Sequence, residues 1–334
     1  MEGIHLEIGK VSNELLEKIV FKNITHKRDE VLVSASIGED TAIVDLGEDL
    51  CVMSTDPITG ATKELGALAI HVSCNDIATR GAEPVAVLLT ILCPWGTSEK
   101  DLELVMKDAG NAAKEVNVEI VGGHTEITDA VNRIILSTTV IGKMKRQKLM
   151  DYDEISIGDQ VIMTKWIGLE GSHILAGELE EKLKGELTQE EIDEAKSLGK
   201  YLSVVKEGMI GGKLGVKYMH DVTEGGIHGA IWETGKAIGK GILLEGDKLP
   251  VKDVTRKLCN ALKIDMKKLI SSGSMIMVSS KENKDPLLSA LEEAGVFATV
   301  IGTVIEEGIF EVSNGTTLEL FSPGSDELYK ALGF

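Results

Sequence analysis

Residues 38–56 read GEDTAIVDLGEDLCVMSTD and contain two apolar, β-branched segments separated by a short polar turn, Gly47-Glu48-Asp49. This composition is typical of a β-hairpin. If the hairpin folds about Glu48, antiparallel pairing places Asp40 opposite Asp56 at the open end of the ladder. The sequence therefore predicts a hairpin in which two carboxylates face each other.

Facing carboxylates need an explanation, because cross-strand neighbours lie about 4.5–5.5 Å apart and two uncompensated negative charges repel at that distance. A hard cation shared between Asp40 and Asp56 would remove the repulsion. The alternative is that each aspartate caps a turn at its own strand end, which is a common use of this residue. We favour the shared cation, and the interpretation that each aspartate caps a turn stays open.

A helix is predicted over residues 64–80, since apolar residues recur with helical spacing and the segment stops at a glycine. Asp76 follows Ala69 and Val72 on the same apolar face. A buried carboxylate there requires a metal, a metal-bound phosphate or a strong donor. Asn75 beside it offers an amide. The alternative is a misjudged helix phase that leaves Asp76 on the surface.

Two glycine pairs follow predicted strands, in Gly122-Gly123-His124-Thr125-Glu126 and in His220-Asp221-Val222-Thr223-Glu224-Gly225-Gly226. Paired glycines let backbone N–H groups approach an anion, and a helix N-terminus favours one. Each signal is weak alone, because many strands end in glycine turns without a ligand. No GxGxxG or P-loop motif occurs, and no cysteine cluster or HExxH motif supports zinc at the histidines.

Charge composition narrows the possible partners. The chain of 334 residues has 54 Asp and Glu against 35 Lys and Arg, a net charge of −19. Such acidity disfavours nucleic acid and membrane surfaces, and a polyanionic small molecule would need a bridging metal. No apolar segment reaches the roughly 20 residues of a membrane span, and no signal peptide is recognisable, so a cytoplasmic protein is expected.

The length predicts about two domains. Strands and helices alternate with hairpins mixed in, which indicates an α/β or α+β class. A polar, acidic stretch at residues 151–158 separates two strand-like segments, so we place the N-terminal domain at 1–153 and the C-terminal domain at 154–334.

Five motifs follow one another along the chain: Gly38-Glu39-Asp40-Thr41-Ala42-Ile43-Val44, Ser54-Thr55-Asp56, Asn75-Asp76-Ile77-Ala78 with Gly81-Ala82-Glu83-Pro84, Gly122-Gly123-His124-Thr125 and Asp221-Val222-Thr223-Glu224-Gly225-Gly226. In this order they resemble the ATP-binding PurM/HypE superfamily of AIR synthase-related proteins, and the resemblance spans nearly the whole chain. Leu249-Pro250-Val251 and Cys259 through Ser272-Gly273 further resemble the C-terminal domain of HypE hydrogenase maturation factors.

The resemblance implies a PurM-like protomer of two domains. Its N-terminal α/β domain pairs with that of a second protomer into a β-barrel-like homodimer, its C-terminal domain is α+β, and ATP lies between the two. By position it implies that Asp40, Asp56 and Asp76 hold Mg²⁺ on the ATP phosphates, that Asp76, Asn75 and His124 are catalytic candidates, and that Gly122, Gly123, Thr125, Asp221, Thr223, Gly225 and Gly226 line the nucleotide site.

The implied activity is transfer of the ATP γ-phosphate to a poorly reactive or amide-type oxygen, which becomes a leaving group. In HypE the group is a carbamoyl on its own C-terminal cysteine, which implies a hydrogenase maturation role and a maturation partner protein. The sequence given ends Leu332-Gly333-Phe334 and its last cysteine is Cys259, so that thiol is missing and the acceptor is unidentified.

Three substitutions depart from the family pattern. His124 stands where Asp is frequent, Thr41 where a second Asp is usual, and Glu224 where Arg is common, which changes the anion preference of the cleft. Two alternatives remain: a relative of aminoimidazole ribonucleotide synthase or thiamine-monophosphate kinase, and a non-catalytic nucleotide-binding module.

Overall fold

The computed structural model describes residues 11–59 and 63–333, which form two β-sheets, one in each half of the chain. The first sheet has the strand order β1-β2-β3-β6-β4-β5; β4 and β5 are parallel and the other neighbours antiparallel. Its strands are β1 Val31–Val33, β2 Ala42–Asp45, β3 Asp49–Ile58, β4 Glu83–Pro94, β5 Glu119–Thr128 and β6 Ile135–Lys145.

Three helices accompany this sheet: α1 Asn13–Leu15, which continues irregularly to Asn23, α2 Leu65–Thr79 and α3 Glu99–Glu115. Helix α3 begins with a capping box, in which the Ser98 hydroxyl accepts from the Asp101 amide and the Asp101 carboxylate accepts from the Ser98 amide. Helix α2 agrees with the prediction for residues 64–80, and nearly all of its side chains are buried.

The predicted hairpin is present, but its register differs from the prediction by one residue. Asp45 pairs with Leu50, so the turn is centred between Gly47 and Glu48. The Asp45 carboxylate accepts a hydrogen bond from the Gly47 amide at 3.0 Å, which stabilises this longer turn. The prediction that Asp40 pairs directly across the ladder with Asp56 is therefore wrong, since β2 begins only at Ala42.

The second sheet contains seven strands in the order β13-β12-β9-β11-β7-β10-β8. Helix α8 begins at the predicted glycine pair, and helix α7 packs against α2 of the first half. The strands are β7 Gln160–Thr164, β8 Tyr218–Asp221, β9 Gly241–Glu245, β10 Met275–Ser279, β11 Ala298–Ile305, β12 Ile309–Ser313 and β13 Thr316–Glu319; the helices are α4 Leu169–Glu178, α5 Glu180–Leu183, α6 Gln189–Lys196, α7 Val205–Leu214, α8 Gly226–Ile238, α9 Asp253–Leu262, α10 Lys281–Glu293 and α11 Glu327–Leu332.

Glycines hold the two halves in close contact where α2 meets α7. A Cβ added at Gly208 would lie 2.2 Å from the carbonyl oxygen of Ala78, and one at Gly212 would lie 2.7 Å from Cα of Gly81. Both obstacles are backbone atoms that cannot move aside easily. The contact therefore depends on the absence of side chains at these positions.

Gly208→Ala is expected to destabilise the protein by about 1–3 kcal/mol, because the new methyl group must push α2 and α7 apart. The matched control is Gly110→Ala in α3, where a Cβ meets nothing within 4 Å and helix propensity should raise stability by up to about 1 kcal/mol. Urea unfolding of both variants measures the difference. Equal effects of the two substitutions would contradict the close packing.

Within the described residues, no helix combines the length and the apolar composition that crossing a bilayer requires.

Candidate active site

A cavity of about 860 Å³ lies between the two halves of the chain and is lined by residues of both. Asp40 lies in the loop before β2, Asp56 on β3, Asp76 near the end of α2 and Asp221 at the end of β8. Four aspartates from four different elements thus reach one cavity. Their meeting depends on the packing of the two halves, which no local sequence pattern contains.

Asp76 is the most deeply buried of the three predicted metal ligands, as the prediction for its helix face required. Burial raises its pKa well above the usual range, and the charges of Asp56, Asp221 and Asp40 raise it further. The Ser54 hydroxyl donates a short hydrogen bond to the Asp76 carboxylate and lies 3.4 Å from the Asp56 carboxylate. A divalent cation would relieve this crowding of carboxylates.

The donor set fits magnesium. Carboxylate oxygens are the ligands that this hard cation prefers, and the cluster offers them from both halves of the chain. Asp40, Asp221 and His220 also place one potential ligand atom each within 4.8 Å of one another. Both ring nitrogens of His220 already contact carboxylates, those of Asp40 and Glu233. The aspartate oxygens are therefore the atoms that can bind the cation.

His220 is a buried cation that ties Asp40 to the second half of the chain. Its Nδ1 lies 2.7 Å from the Asp40 carboxylate and its Nε2 lies 3.2 Å from the Glu233 carboxylate. Burial alone lowers the pKa of His220, but the charges and hydrogen bonds of Asp40 and Glu233 outweigh it and raise the pKa to about 10. The imidazolium donates to both carboxylates and orients Asp40. The sequence reading singled out His220 only as part of its motif and did not assign this role.

Thr41, in the loop that carries Asp40, has a partner of its own. Its hydroxyl accepts a hydrogen bond from Nε of Arg80 at 3.0 Å, and the same guanidinium forms an ion pair with Glu39 and bonds the Tyr152 hydroxyl. Arg80 thus ties the loop that carries Asp40 to the end of α2.

Asn75 lies where α2 meets the second half of the chain. Its side-chain amide donates to the Leu202 carbonyl and accepts from the Val204 amide, each at 2.8 Å, and it is fully buried. Asn75 does not line the cavity. Both ends of its amide join α2 to the second half, so Asn75 positions the helix that carries Asp76, and its catalytic role stays a prediction.

Gly122 and Gly123 do not form the predicted turn at a strand end but lie within β5, at the edge of the sheet. A Cβ at Gly123 would lie 1.8 Å from the carbonyl oxygen of Leu89, so close approach to β4 requires glycine there. The register places Gly123 three strands away from Asp56, about 14 Å across the sheet. Within one chain, the cavity therefore does not include this segment.

His124 and Thr125 share that location. The His124 ring lies 3.1 Å from the Glu126 carboxylate, and two thirds of its side chain is exposed. Neither residue lines the cavity that holds the aspartates. Within a single chain, His124 and Thr125 therefore lie outside the cavity in which nucleotide is predicted to bind.

The second half supplies Asp221, Thr223 and Glu224 to the cavity wall. Gly225 and Gly226 follow with φ values of 82° and 58°, which favour glycine, and neither lines the cavity. A Cβ at Gly226 would lie 2.6 Å from the Lys267 carbonyl oxygen, so this pair serves the close packing of α8. Their predicted place in the nucleotide site stays a prediction.

Two residues that line the cavity were not predicted as site residues from the sequence. Glu170 in the first turn of α4 and Arg133 before β6 both reach the cavity. Glu170 is buried, and its position after Gly168 on an apolar helix was the available clue.

Models of the AIR synthase related protein family match both halves of the chain, the N-terminal domain at residues 38–144 and the C-terminal domain at residues 156–313. The chain belongs to this family. The predicted relationship and the two-domain fold with mixed α/β content are thereby confirmed.

Several relatives align with most of this chain. A hydrogenase expression/formation protein of Methanocaldococcus jannaschii is 29% identical over 315 residues, covering 90% of this chain and 89% of that protein. The carbamoyl dehydratase HypE of Azotobacter vinelandii is 25% identical over 316 residues, covering 92% and 89%. HypE of Escherichia coli is 26% identical over 282 residues, covering 80% and 81%.

Solved structures share the fold. HypE in a HypE–HypF complex superposes with a TM-score of 0.75 at 24% identity, covering 92% of this chain and 99% of that one. HypE in complex with ATP gives 0.72 at 21% identity, covering 97% and 98%. The ThiL protein bound to AMPPCP and TMP gives 0.72 at 19% identity, covering 94% and 98%.

Proposed function

We propose that this chain is a Mg²⁺-ATP-dependent enzyme, similar to HypE, that activates a substrate oxygen by phosphoryl transfer. The observation that carries the proposal is the meeting of Asp40, Asp56, Asp76 and Asp221 in one cavity between the two halves. Carboxylates crowded in this way bind a divalent cation in preference to remaining as a bare cluster.

The charge of the cavity requires that cation if the ligand is ATP. Among the described lining residues, seven side chains are acidic and Arg133 is the basic one. Triphosphate would be repelled by such a surface without metal to bridge the charges. The acidic lining residues are Glu39, Asp40, Asp56, Asp76, Glu170, Asp221 and Glu224.

In this proposal Asp40, Asp56 and Asp76 hold Mg²⁺, with Asp221 facing them from the second half. Bound Mg²⁺ would neutralise the negative charge of the ATP phosphates. The chain's own contribution is positioning: the His220 imidazolium orients Asp40, Ser54 orients Asp76, and the cavity holds nucleotide and acceptor together. We place the domain boundary at 153/154. With this boundary, the cavity proposed to bind ATP lies between the two domains.

The acceptor is proposed by analogy with relatives named carbamoyl dehydratase, which points to an amide-type oxygen and a role in hydrogenase maturation. A maturation partner protein is supported by the HypE–HypF complex of a structural relative. Among the described residues, no cysteine lines the cavity, and burial raises the pKa of Cys259 to about 12. The acceptor is therefore none of the four cysteines in this sequence.

A homodimer is proposed from the exposed face of the first sheet. Val85, Leu88, Val121 and Ile127 on β4 and β5 are exposed, although they are large and apolar. Among the residues that the structure describes, β5 also forms an edge of the sheet with unpaired backbone groups, which a second copy can cover. The predicted nucleotide contacts of the Gly122–Thr125 segment depend on this homodimer.

Calorimetry with ATP, with and without Mg²⁺, tests the proposed function on wild type and on Asp56→Asn, followed by assay of the same samples for ADP. We expect Mg²⁺-dependent binding in wild type and at least about tenfold weaker binding in the variant. Binding without ADP formation would support the non-catalytic nucleotide-binding module. Absence of binding under both conditions would reject the ATP-dependent function.

A further inference from the structure

The second half contributes two carboxylates besides Asp221 to the cavity wall, and we call the part of the cavity that they line its acidic end. Glu170 and Glu224 both line it, with Ser272 and Tyr329 beside them. Glu170 is only 5% exposed, and no described residue makes a hydrogen bond to its Oε2 atom. A buried carboxylate oxygen without a donor is costly unless a ligand supplies one.

The neighbours of Glu170 add negative charge. Asp326 lies behind it, but its carboxylate already accepts hydrogen bonds from the backbone amides of Gly225, Ile270 and Leu328. Glu224 lies in the loop before α8 and also lines the cavity. Asp326 is therefore satisfied by the backbone. Glu170 accepts hydrogen bonds from Ser272, but its Oε2 atom has no donor among the described residues.

The protonation of Glu170 reflects these surroundings. Burial raises the pKa of Glu170 to about 7, Glu224 and Asp326 contribute to the rise, and Ser272 opposes it. Near neutral pH the carboxyl group is thus divided between its neutral and ionised forms. Tyr329 of α11 faces the same acidic group, and burial with Glu224 raises its pKa as well, so Tyr329 stays neutral there.

An anion does not suit this end of the cavity, because two carboxylates would repel it and Tyr329 and Ser272 supply no positive charge. A cation with N–H donors suits it well, since it would satisfy Oε2 of Glu170 and neutralise Glu224. We propose that this end binds a cationic nitrogen group of the acceptor, an ammonium or amidinium, and that Glu170 is the specificity-determining residue. The inference rests on the proposed function only in treating the occupant as the acceptor.

A proton linkage follows from this assignment. A cation binds the ionised form of Glu170 and therefore displaces its proton. Between pH 6 and pH 8 the ionised fraction of a group with a pKa near 7 rises about tenfold, so affinity should rise by about the same factor.

The test titrates the full chain, without nucleotide, with methylguanidinium chloride at constant ionic strength and follows binding by ligand-observed NMR and calorimetry at pH 6, 7 and 8. We expect saturable binding in wild type, about tenfold tighter at pH 8 than at pH 6. Glu170→Gln should weaken binding at pH 8 at least tenfold and remove the pH dependence. Glu224→Gln should weaken binding but retain the pH dependence, and the exposed Glu186→Gln control should match wild type.

Equal binding by wild type and Glu170→Gln, or no saturable binding of methylguanidinium, would overturn the proposal. So would a preference for inorganic phosphate, or for Mg²⁺ alone, at a site lost in Glu170→Gln. Thermal unfolding checks that each variant is folded, and Glu224→Gln reports on the site if Glu170→Gln fails to fold. Because no nucleotide is present, the outcome is independent of the Mg²⁺-ATP calorimetry, and either proposal can fail alone.

Discussion

Asp76→Asn is expected to lower Mg²⁺-dependent ATP turnover at least about 100-fold, since it removes one charge from the centre of the carboxylate cluster. Asp76 faces Asp56, Asp40 and Asp221, and a divalent cation held by this group loses both charge and a ligand when the carboxylate becomes an amide. Turnover is measured as ADP formed under saturating ATP over a range of Mg²⁺ concentrations.

The same substitution should raise the melting temperature of the metal-free protein. Burial and neighbouring carboxylates raise the pKa of Asp76, which means that its ionised form is unfavourable in the folded chain. An asparagine retains an acceptor for the Ser54 hydroxyl and carries no charge. The control for loss of one negative charge is Asp285→Asn, because that side chain is 79% exposed on α10.

Two results would contradict this interpretation of Asp76. Turnover near that of wild type would show that Asp76 does not serve the metal. A large fall in melting temperature without metal would show instead that Asp76 is a structural residue whose charge is well compensated. Lower turnover together with a higher melting temperature is the combination that a metal ligand predicts.

His220→Gln is expected to destabilise the protein by about 3–5 kcal/mol, the cost of breaking a buried ion pair by removing one partner. The His220 imidazolium is the cation that both Asp40 and Glu233 contact. Glutamine can donate a hydrogen bond to one of these carboxylates but cannot supply charge to either. Urea unfolding at pH 7 gives the loss of stability.

His228→Gln is the matched control, because His228 also bonds a buried carboxylate, Glu311, at 2.8 Å. There Lys267 contacts the same carboxylate and retains its charge after the substitution. We expect a loss of about 1 kcal/mol at that site, the worth of a typical hydrogen bond. Equal losses at His220 and His228 would show that the charge of His220 is unimportant.

Local patterns predicted much of the first half correctly. Helical spacing located α2 and placed Asp76 on a buried face. These features depend on residues within one or two turns of each other, where periodicity decides the outcome. The aspartates were recognised as unusual for the same reason, since an acid in an apolar pattern needs a partner.

The predictions from sequence missed one local contact and several distant ones. The hairpin register differs by one residue because the Asp45 side chain binds the Gly47 amide, two residues away. Asn75 bonds the backbone near Leu202, far away in sequence, and Gly123 is a glycine because of the Leu89 carbonyl. Nothing in the neighbouring sequence indicates the partners of Asn75 and Gly123.

By itself, the sequence determined the class of fold, the order of its motifs and the acidity that makes a metal necessary for any polyanionic ligand. These follow from composition and short-range periodicity, which are properties of neighbouring residues. Only the tertiary structure decided that Asp221 joins Asp40, Asp56 and Asp76, and that His220 bridges the two halves. Charges separated by up to 181 positions in the chain interact only after packing has excluded water between them, so their pairing belongs to the folded protein.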